Sequence, residues 1–252
     1  NIATILLILS LSALITPIAV APVTFRLNGP VLIGSSLLAI GVFFLGQIGR
    51  SWGSLFVALL LAYTFISYWR GRHGAQDEPL VHLSEEVEAA PPRRAPLAVY
   101  LGLTFLGLAG IVFGANLLID GAVALARRLG AAESLIGLTI VAVGTSLPEL
   151  ATSVIAAFRR HGDVALGNVI GSNIFNLLGI LGVTALYKPI AVPEEIVRLD
   201  GWVMLGASLL AIFFAMTKAQ ISRWEGALLL AGYLAYLLVL VAPLLSEPPQ
   251  AA

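Results

Sequence analysis

Residues 1–20 read NIATILLILSLSALITPIAV, and residues 173–192 read NIFNLLGILGVTALYKPIAV. When the chain is shifted against itself by 172 positions, residues 1–40 align with residues 173–212 without a gap, and 21 of these positions are identical. Matches beyond the common aliphatic residues are Asn1 with Asn173, Pro17 with Pro189, Arg26 with Arg198, Gly29 with Gly201, Gly34 with Gly206 and, at the same offset, Trp52 with Trp224. A match of this length predicts an internal repeat.

The composition indicates a membrane protein. Of the 252 residues, 59% are hydrophobic and 11% are charged, and the mean hydropathy is +0.97, which a soluble protein does not reach. The 14 basic and 14 acidic residues leave no net charge to attract nucleic acid. The chain has no Cys, which excludes thiolate chemistry, and His73, His82 and His161 all lie in polar loops.

A helix that spans a bilayer needs about 20 mostly apolar residues. Eight stretches meet this requirement: residues 1–20, 30–48, 52–69, 96–126, 133–158, 164–187, 201–218 and 225–246. The hydrophilic stretch 70–95 separates the third span from the fourth, and it is too short for a folded regulatory domain. We therefore predict an all-α integral membrane protein.

The repeat predicts how these spans are organised. Its two copies begin in the first and sixth spans, and a shift of five spans makes the second copy cross the membrane in the opposite direction. Residues 96–172 precede the second copy but nothing precedes Asn1, so we expect two further spans upstream, in a ten-helix fold of which eight spans are present. The predicted divisions are a remainder of the first half at 1–69, a linker at 70–95, a second half at 96–246 and a tail at 247–252.

The distribution of basic residues predicts the orientation. Loops after the first, third, fifth and seventh spans carry 9 Lys and Arg residues, and loops after the second, fourth and sixth carry 5. Because the more basic set of loops is expected in the cytoplasm, the 70–95 linker should be cytoplasmic and both chain ends should lie outside.

Two acidic residues fall inside predicted spans, where an ionisable group is costly. Glu149 follows Gly144-Thr145-Ser146-Leu147-Pro148, which adds two hydroxyls and a turn whose carbonyls Pro148 leaves open. These oxygens suit a hard cation such as Ca²⁺ or Na⁺, and the alternative is a protonated Glu149 packed at a proline kink. Asp120 lies closer to the end of its span, as an interfacial residue or an entrance residue.

A second polar stripe occupies the next span. Asn168, Ser172 and Asn176 recur every four residues, so they share one helix face. Gly167 and Gly171 form a pair of small residues that allows another helix to approach closely, which would bring the stripe against the Glu149 helix. The alternative is that these amides only join helices through hydrogen bonds.

These two segments carry a resemblance. Gly144-Thr145-Ser146-Leu147-Pro148-Glu149-Leu150-Ala151-Thr152-Ser153 and Gly167-Asn168-Val169-Ile170-Gly171-Ser172-Asn173-Ile174-Phe175-Asn176 resemble the second alpha-repeat of the sodium/calcium exchanger family, of prokaryotic type. Residues 1–4 look like the tail of the matching motif in the first alpha-repeat.

The resemblance implies a cation antiporter of a bacterial or archaeal plasma membrane, without a cofactor, that exchanges Ca²⁺ for Na⁺ by alternating access. The ion ligands that it implies from this half are the Ala142 carbonyl, Thr145, Ser146, Glu149, Ser172 and Asn176. It also implies that the first and sixth helices of the full fold move, the sixth being the span 96–126.

Three other functions stay open from the sequence. A proton-coupled calcium antiporter is the nearest, because Glu149 could carry the exchanged proton. A cation channel is a second alternative, since inverted repeats do not exclude one. A membrane enzyme is the third and weakest, because no nucleophile, base and acid share one membrane depth.

Overall fold

The computed structural model describes residues 1–20, 22–73, 96–128, 142–217 and 219–246. Helices make up nearly all of this part of the chain: α1 (Thr4–Ile15), α2 (Pro22–Phe43), α3 (Arg50–His73), α4 (Leu97–Arg128), α5 (Ala142–Gly144), α6 (Leu147–Phe158), α7 (Gly162–Tyr187), α8 (Ile196–Thr217) and α9 (Arg223–Ser246). The strands have two residues each: β1 (Ile18–Ala19), β2 (Gln47–Ile48), β3 (Ile190–Ala191) and β4 (Gln220–Ile221).

The helices confirm an integral membrane protein. Five are long and apolar enough to cross a bilayer: Arg50–Arg70, Leu97–Arg128, Gly162–Tyr187, Ile196–Thr217 and Arg223–Ala242. Three shorter apolar helices accompany them: Thr4–Ile15, Leu27–Phe43 and Leu147–Phe158. Each of the eight predicted spans therefore contains an apolar helix. The length of a hydrophobic run in the sequence was sufficient to locate these helices.

Several predicted boundaries are wrong. The second span was expected to begin at Pro30, but α2 begins at Pro22 and contains Pro30. The seventh span was expected from residue 201, yet α8 begins at Ile196 with a π-helical turn. The start of the predicted linker is helical, since α3 continues to His73, and residues 74–95 lie outside the described part of the chain.

The predicted fifth span, 133–158, is not one helix over its described residues. The single turn α5 is followed by the non-helical pair Thr145 and Ser146, and α6 begins at Leu147. Pro148 lies in the first turn of α6, where its missing N–H leaves no hydrogen bond unmade. The proline therefore starts a new helix instead of kinking a continuous one.

Two short antiparallel ribbons, which the sequence did not predict, tie the helix ends together. β1 pairs with β4, placing Ile18 opposite Ile221, and β2 pairs with β3, placing Gln47 opposite Ala191. Since α2 leads from β1 to β2 and α8 leads from β3 to β4, the ribbons lie at opposite ends of these helices. The helices α2 and α8 therefore run in opposite directions.

The same close contact occurs twice. A Cβ on Gly53 would lie 2.8 Å from the Gly182 carbonyl oxygen, and a Cβ on Gly226 would lie 3.0 Å from that of Ser10. Ser10 and Gly182 are 172 residues apart, whereas the two glycines are 173 apart. The offset between corresponding residues is therefore 172 at Ser10 but 173 at Gly53. In the structure Gly53 corresponds to Gly226, so the expected match of Trp52 with Trp224 is wrong.

The core lies among α1, α2, α7 and α8, where Ile5, Leu9, Leu32 and Ile174 are almost fully buried. In contrast, no residue of α4 is buried, and this helix packs mainly on α5 and α6. The helices that contain the two matched segments, 1–40 and 173–212, thus form the buried centre, and α4 lies at its side.

Candidate cation site

The break before α6 positions Glu149. Ser146, with φ −94° and ψ 4°, precedes the helix, and its carbonyl accepts the N–H of Leu150 at 2.9 Å. A Cβ on Gly144 would lie 2.3 Å from Cγ1 of Ile119, so only glycine admits α4 this closely. Glu149 then falls in the first turn of α6, where the helix dipole favours a carboxylate.

Glu149 faces a cavity of about 660 Å³. The polar side chains that line it are Asn1, Thr145, Ser146, Glu149, Asn176, Asp200, Tyr233 and Tyr236. Among the described lining residues there is no Lys, Arg or His side chain. The Oε2 atom of Glu149 is buried without a hydrogen-bond partner, as expected of an oxygen kept for an ion.

Asparagines join α7 to the start of the chain. The Asn176 amide donates to Oδ1 of Asn1 at 3.2 Å, and the Asn1 amide donates to the Asn173 carbonyl at 3.1 Å. Because Asn176 turns its NH₂ toward Asn1, its own side-chain oxygen is not used by that bond. Asn1 was not predicted as a site residue, although its match with Asn173 in the repeat was a signal for it.

Asn168, the first residue of the polar stripe on α7, joins two helices. Asn168 donates to Ser153 Oγ at 2.9 Å and to the Glu149 carbonyl at 3.3 Å, so it joins α7 to α6, as the alternative interpretation stated. The stripe does meet the Glu149 helix, but a Cβ at Gly167 or Gly171 would have no described atom within 4 Å, so these glycines do not form the described contact.

Four of the six predicted ligands come together at the cavity, namely Thr145, Ser146, Glu149 and Asn176. Ser172 lies one turn before Asn176, is not among the described lining residues, and donates to the Val169 carbonyl at 3.1 Å. Ala142 begins α5, three residues before Thr145.

Asp120 and Asp200 lie differently with respect to the cavity. Asp120 is exposed on α4, beside Ile119 and away from the cavity lining. Asp200 was assigned to a loop, but it belongs to α8 and lines the cavity, where it accepts the hydroxyl of Tyr236 at 3.0 Å. The sequence did contain a signal for Asp200, because this residue directly precedes the matched Gly201 within the segment 173–212.

The chemistry of the lining defines the class of protein. Carboxylate, hydroxyl and amide oxygens, without thiolate or imidazole among the described lining residues, suit hard cations. An oxygen-lined cavity beside a broken helix, within a bundle of apolar helices, is typical of a membrane transporter for cations.

Comparison with known proteins agrees with this class. The model of a family described as sodium/calcium exchanger protein matches residues 99–242. Putative antiporter CaxA of Alkalimonas amylolytica is 38% identical over 241 residues, 94% of this chain and 74% of that protein. Sodium/calcium exchanger MaX1 of Methanosarcina acetivorans is 45% identical over 135 residues, 54% of this chain and 39% of that protein.

A solved structure of the sodium-calcium exchanger NCX_Mj, soaked with zero Na⁺ and Ca²⁺, has a TM-score of 0.72 and 34% identity. The match covers 93% of this chain and 71% of that one. The chain therefore belongs to the sodium/calcium exchanger family, whose members are cation antiporters and not enzymes.

Proposed function

We propose that this protein exchanges Ca²⁺ for Na⁺ at the Glu149 cavity. The observation that carries the proposal is Oε2 of Glu149, a buried carboxylate oxygen without a hydrogen-bond partner that belongs to an oxygen-lined cavity. A carboxylate in this position is costly unless a cation joins it. Ca²⁺ and Na⁺ both take such oxygens as ligands.

The proposed ligands from α5, α6 and α7 are the Ala142 carbonyl, Thr145, Ser146, Glu149, Ser172 and Asn176. Thr145, Ser146 and Asn176 share the cavity with Glu149, which supports their assignment. Ser172 donates its hydroxyl proton to the Val169 carbonyl, and its oxygen keeps lone pairs that could bind a cation.

Charge explains why the protein would exchange ions instead of leaking them. An empty cavity carries the uncompensated charge of Glu149, and rearranging it inside a bilayer is unfavourable. A cavity filled by Ca²⁺ or by Na⁺ avoids that cost. Each turnover then carries one kind of ion inward and the other outward.

The proposed architecture has two halves, 1–69 and 96–246, joined by the linker 70–95 and ending in the tail 247–252. The opposite directions of α2 and α8, and the repeated glycine contact, support inverted repeats. Alternating access would then come from α4 sliding along this core, since α4 has no buried residue.

The test is radiolabelled Ca²⁺ uptake into Na⁺-loaded liposomes that carry the complete polypeptide. We expect uptake to require the outward Na⁺ gradient and to fall at least a hundredfold in Glu149→Gln, roughly the 3 kcal/mol that a lost charged ligand costs. The matched control is Glu194→Gln, which removes an exposed carboxylate paired with Arg198 and should transport normally.

The other outcomes separate the remaining functions. Uptake that needs Glu149 and a proton gradient, but no Na⁺, would assign proton coupling. Current carried by Ca²⁺ with no counter-ion present would assign a channel. Uptake that Glu149→Gln leaves unchanged would overturn the site itself.

A further inference from the structure

Asp200 adds a second carboxylate to the wall of the Glu149 cavity. It ends the π-helical turn of α8, and its Oδ1 atom accepts the hydroxyl of Tyr236 from α9. Both residues line the cavity. The arrangement holds one carboxylate oxygen in a fixed place and uses no cationic side chain among the described lining residues.

The other half of the molecule contains the same arrangement without the charge. Tyr63 donates its hydroxyl at 3.0 Å to Oδ1 of Asn28, at the positions that correspond to Tyr236 and Asp200 in the repeat. A neutral amide is therefore sufficient to hold this tyrosine. Since a carboxylate within a membrane span costs more than an amide, the charge of Asp200 is not explained by packing.

The position of Asp200 indicates what its charge acts on. Phe43 and Ile196 line the same cavity and lie within about five residues of β2 and β3, respectively. The cavity thus extends from Glu149 toward the end of the molecule that the β2–β3 ribbon occupies. The basic residues of the loops place this end outside the cell.

We propose that Asp200 draws cations into the cavity from the β2–β3 side, so that the apparent affinity for Ca²⁺ on that side depends on its charge. A cleft lined by one sign of charge raises the local concentration of its counter-ion and its entry rate. The opposite side, where the equivalent residue is Asn28, lacks this contribution. This inference rests on the proposed exchange at Glu149.

The experiment measures the Ca²⁺ dependence of Na⁺-driven exchange in right-side-out and inside-out membrane vesicles that carry the complete polypeptide. In Asp200→Asn we expect the KM for Ca²⁺ to rise about tenfold from the β2–β3 side only, with kcat within twofold of the parent. The asparagine still accepts the Tyr236 hydroxyl, so a purely structural role predicts no change. Asp200→Glu keeps the charge and should retain the KM of the parent.

Two further measurements keep the test decisive. Glu194→Gln removes an exposed charge near the same end and should leave both KM values unchanged. If Asp200→Asn does not fold, the parent alone is sufficient, because choline chloride should raise its KM more from the β2–β3 side than from the other.

Equal KM values for the parent and Asp200→Asn from both sides would overturn the inference, and so would an equal rise from both sides or, in the parent, an equal effect of salt. A parent that shows no Na⁺-driven uptake would instead overturn the proposed function, which separates the two failures.

Discussion

Gly144, Pro148 and Glu149 have different roles in the Gly144–Glu149 segment. Gly144 admits Ile119 of α4, and Pro148 starts α6 without leaving a hydrogen bond unmade. The result places Glu149 at the positive end of a helix dipole while its Oε2 atom stays unpartnered. The carboxylate therefore still has an oxygen to give to a cation.

Asn168 joins the helix that carries Glu149 to α7. Its amide joins the fully buried Ser153 to the Glu149 carbonyl, which fixes the first turns of α6 against α7. We expect Asn168→Ala to lower the free energy of unfolding by about 1–2 kcal/mol, because Ser153 loses the donor on its hydroxyl. The measurement is the thermal unfolding midpoint in detergent.

A matched control for this prediction lies on α6, next to Ser153. Thr152 is exposed and donates to the Pro148 carbonyl within its own turn, so Thr152→Ala should shift the midpoint by much less. Equal shifts in the two variants would show that the Asn168 hydrogen bonds stabilise the protein no more than the local Thr152 hydrogen bond does.

The sequence predicted Glu149, Thr145, Ser146 and Asn176 but misjudged Asn168. Four-residue spacing put Asn168 and Asn176 on one face, yet each step of four residues turns about 40° around a helix, or about 80° over two steps. The two amides therefore meet different neighbours, which a single helix pattern does not reveal.

At the scale of elements, hydropathy was sufficient to find the helices but not their breaks. A run of apolar residues has the same composition whether or not the helix is interrupted at Thr145. Two-residue strands such as β2 have no periodicity to detect, and they form only when β3 is brought beside them. Helix pairing was also hidden, since nothing in the sequence around Gly53 and Gly226 marks these glycines as helix contacts.

Those two glycines set how closely the helices pack. In Gly53→Ala, the new Cβ would lie 2.8 Å from the Gly182 oxygen and 2.9 Å from the Leu186 nitrogen, both of which are backbone atoms. We expect a loss of about 1–3 kcal/mol in stability from this overpacking. Thermal unfolding of purified protein in detergent measures it.

Gly226→Ala meets an equivalent contact with α1 and should destabilise to a similar extent. Gly206→Ala is the control, since a Cβ there has no described atom within 4 Å and alanine should gain up to about 1 kcal/mol in a helix. The packing argument fails if Gly53→Ala proves as stable as Gly206→Ala.

For the whole molecule, the contrast between α4 and the core determines how the cavity could open. The core helices bury their apolar residues against one another, whereas α4 packs mainly on α5 and α6 and buries none of its own. Moving α4 therefore breaks few contacts. Its contact at Gly144 lies directly beside Thr145, so a displacement there would reach the proposed ion ligands.

A reversible cross-link between α4 and α5 tests this movement. The ideal Cβ of Gly144 lies 3.6 Å from Cβ of Ile119, within the range of about 3.5–4.5 Å that a disulfide requires. The chain has no Cys, so Ile119→Cys with Gly144→Cys forms the only thiol pair, and the Ile119 atoms that crowd Gly144 are removed.

Oxidation of this double variant should lower Na⁺-driven Ca²⁺ exchange at least tenfold, and reduction should restore it, because a tethered α4 cannot slide along the core. Each single Cys variant, treated with the same oxidant, controls for damage at Gly144 itself. Oxidised protein that is cross-linked on a gel yet exchanges at the reduced rate would place the moving element elsewhere.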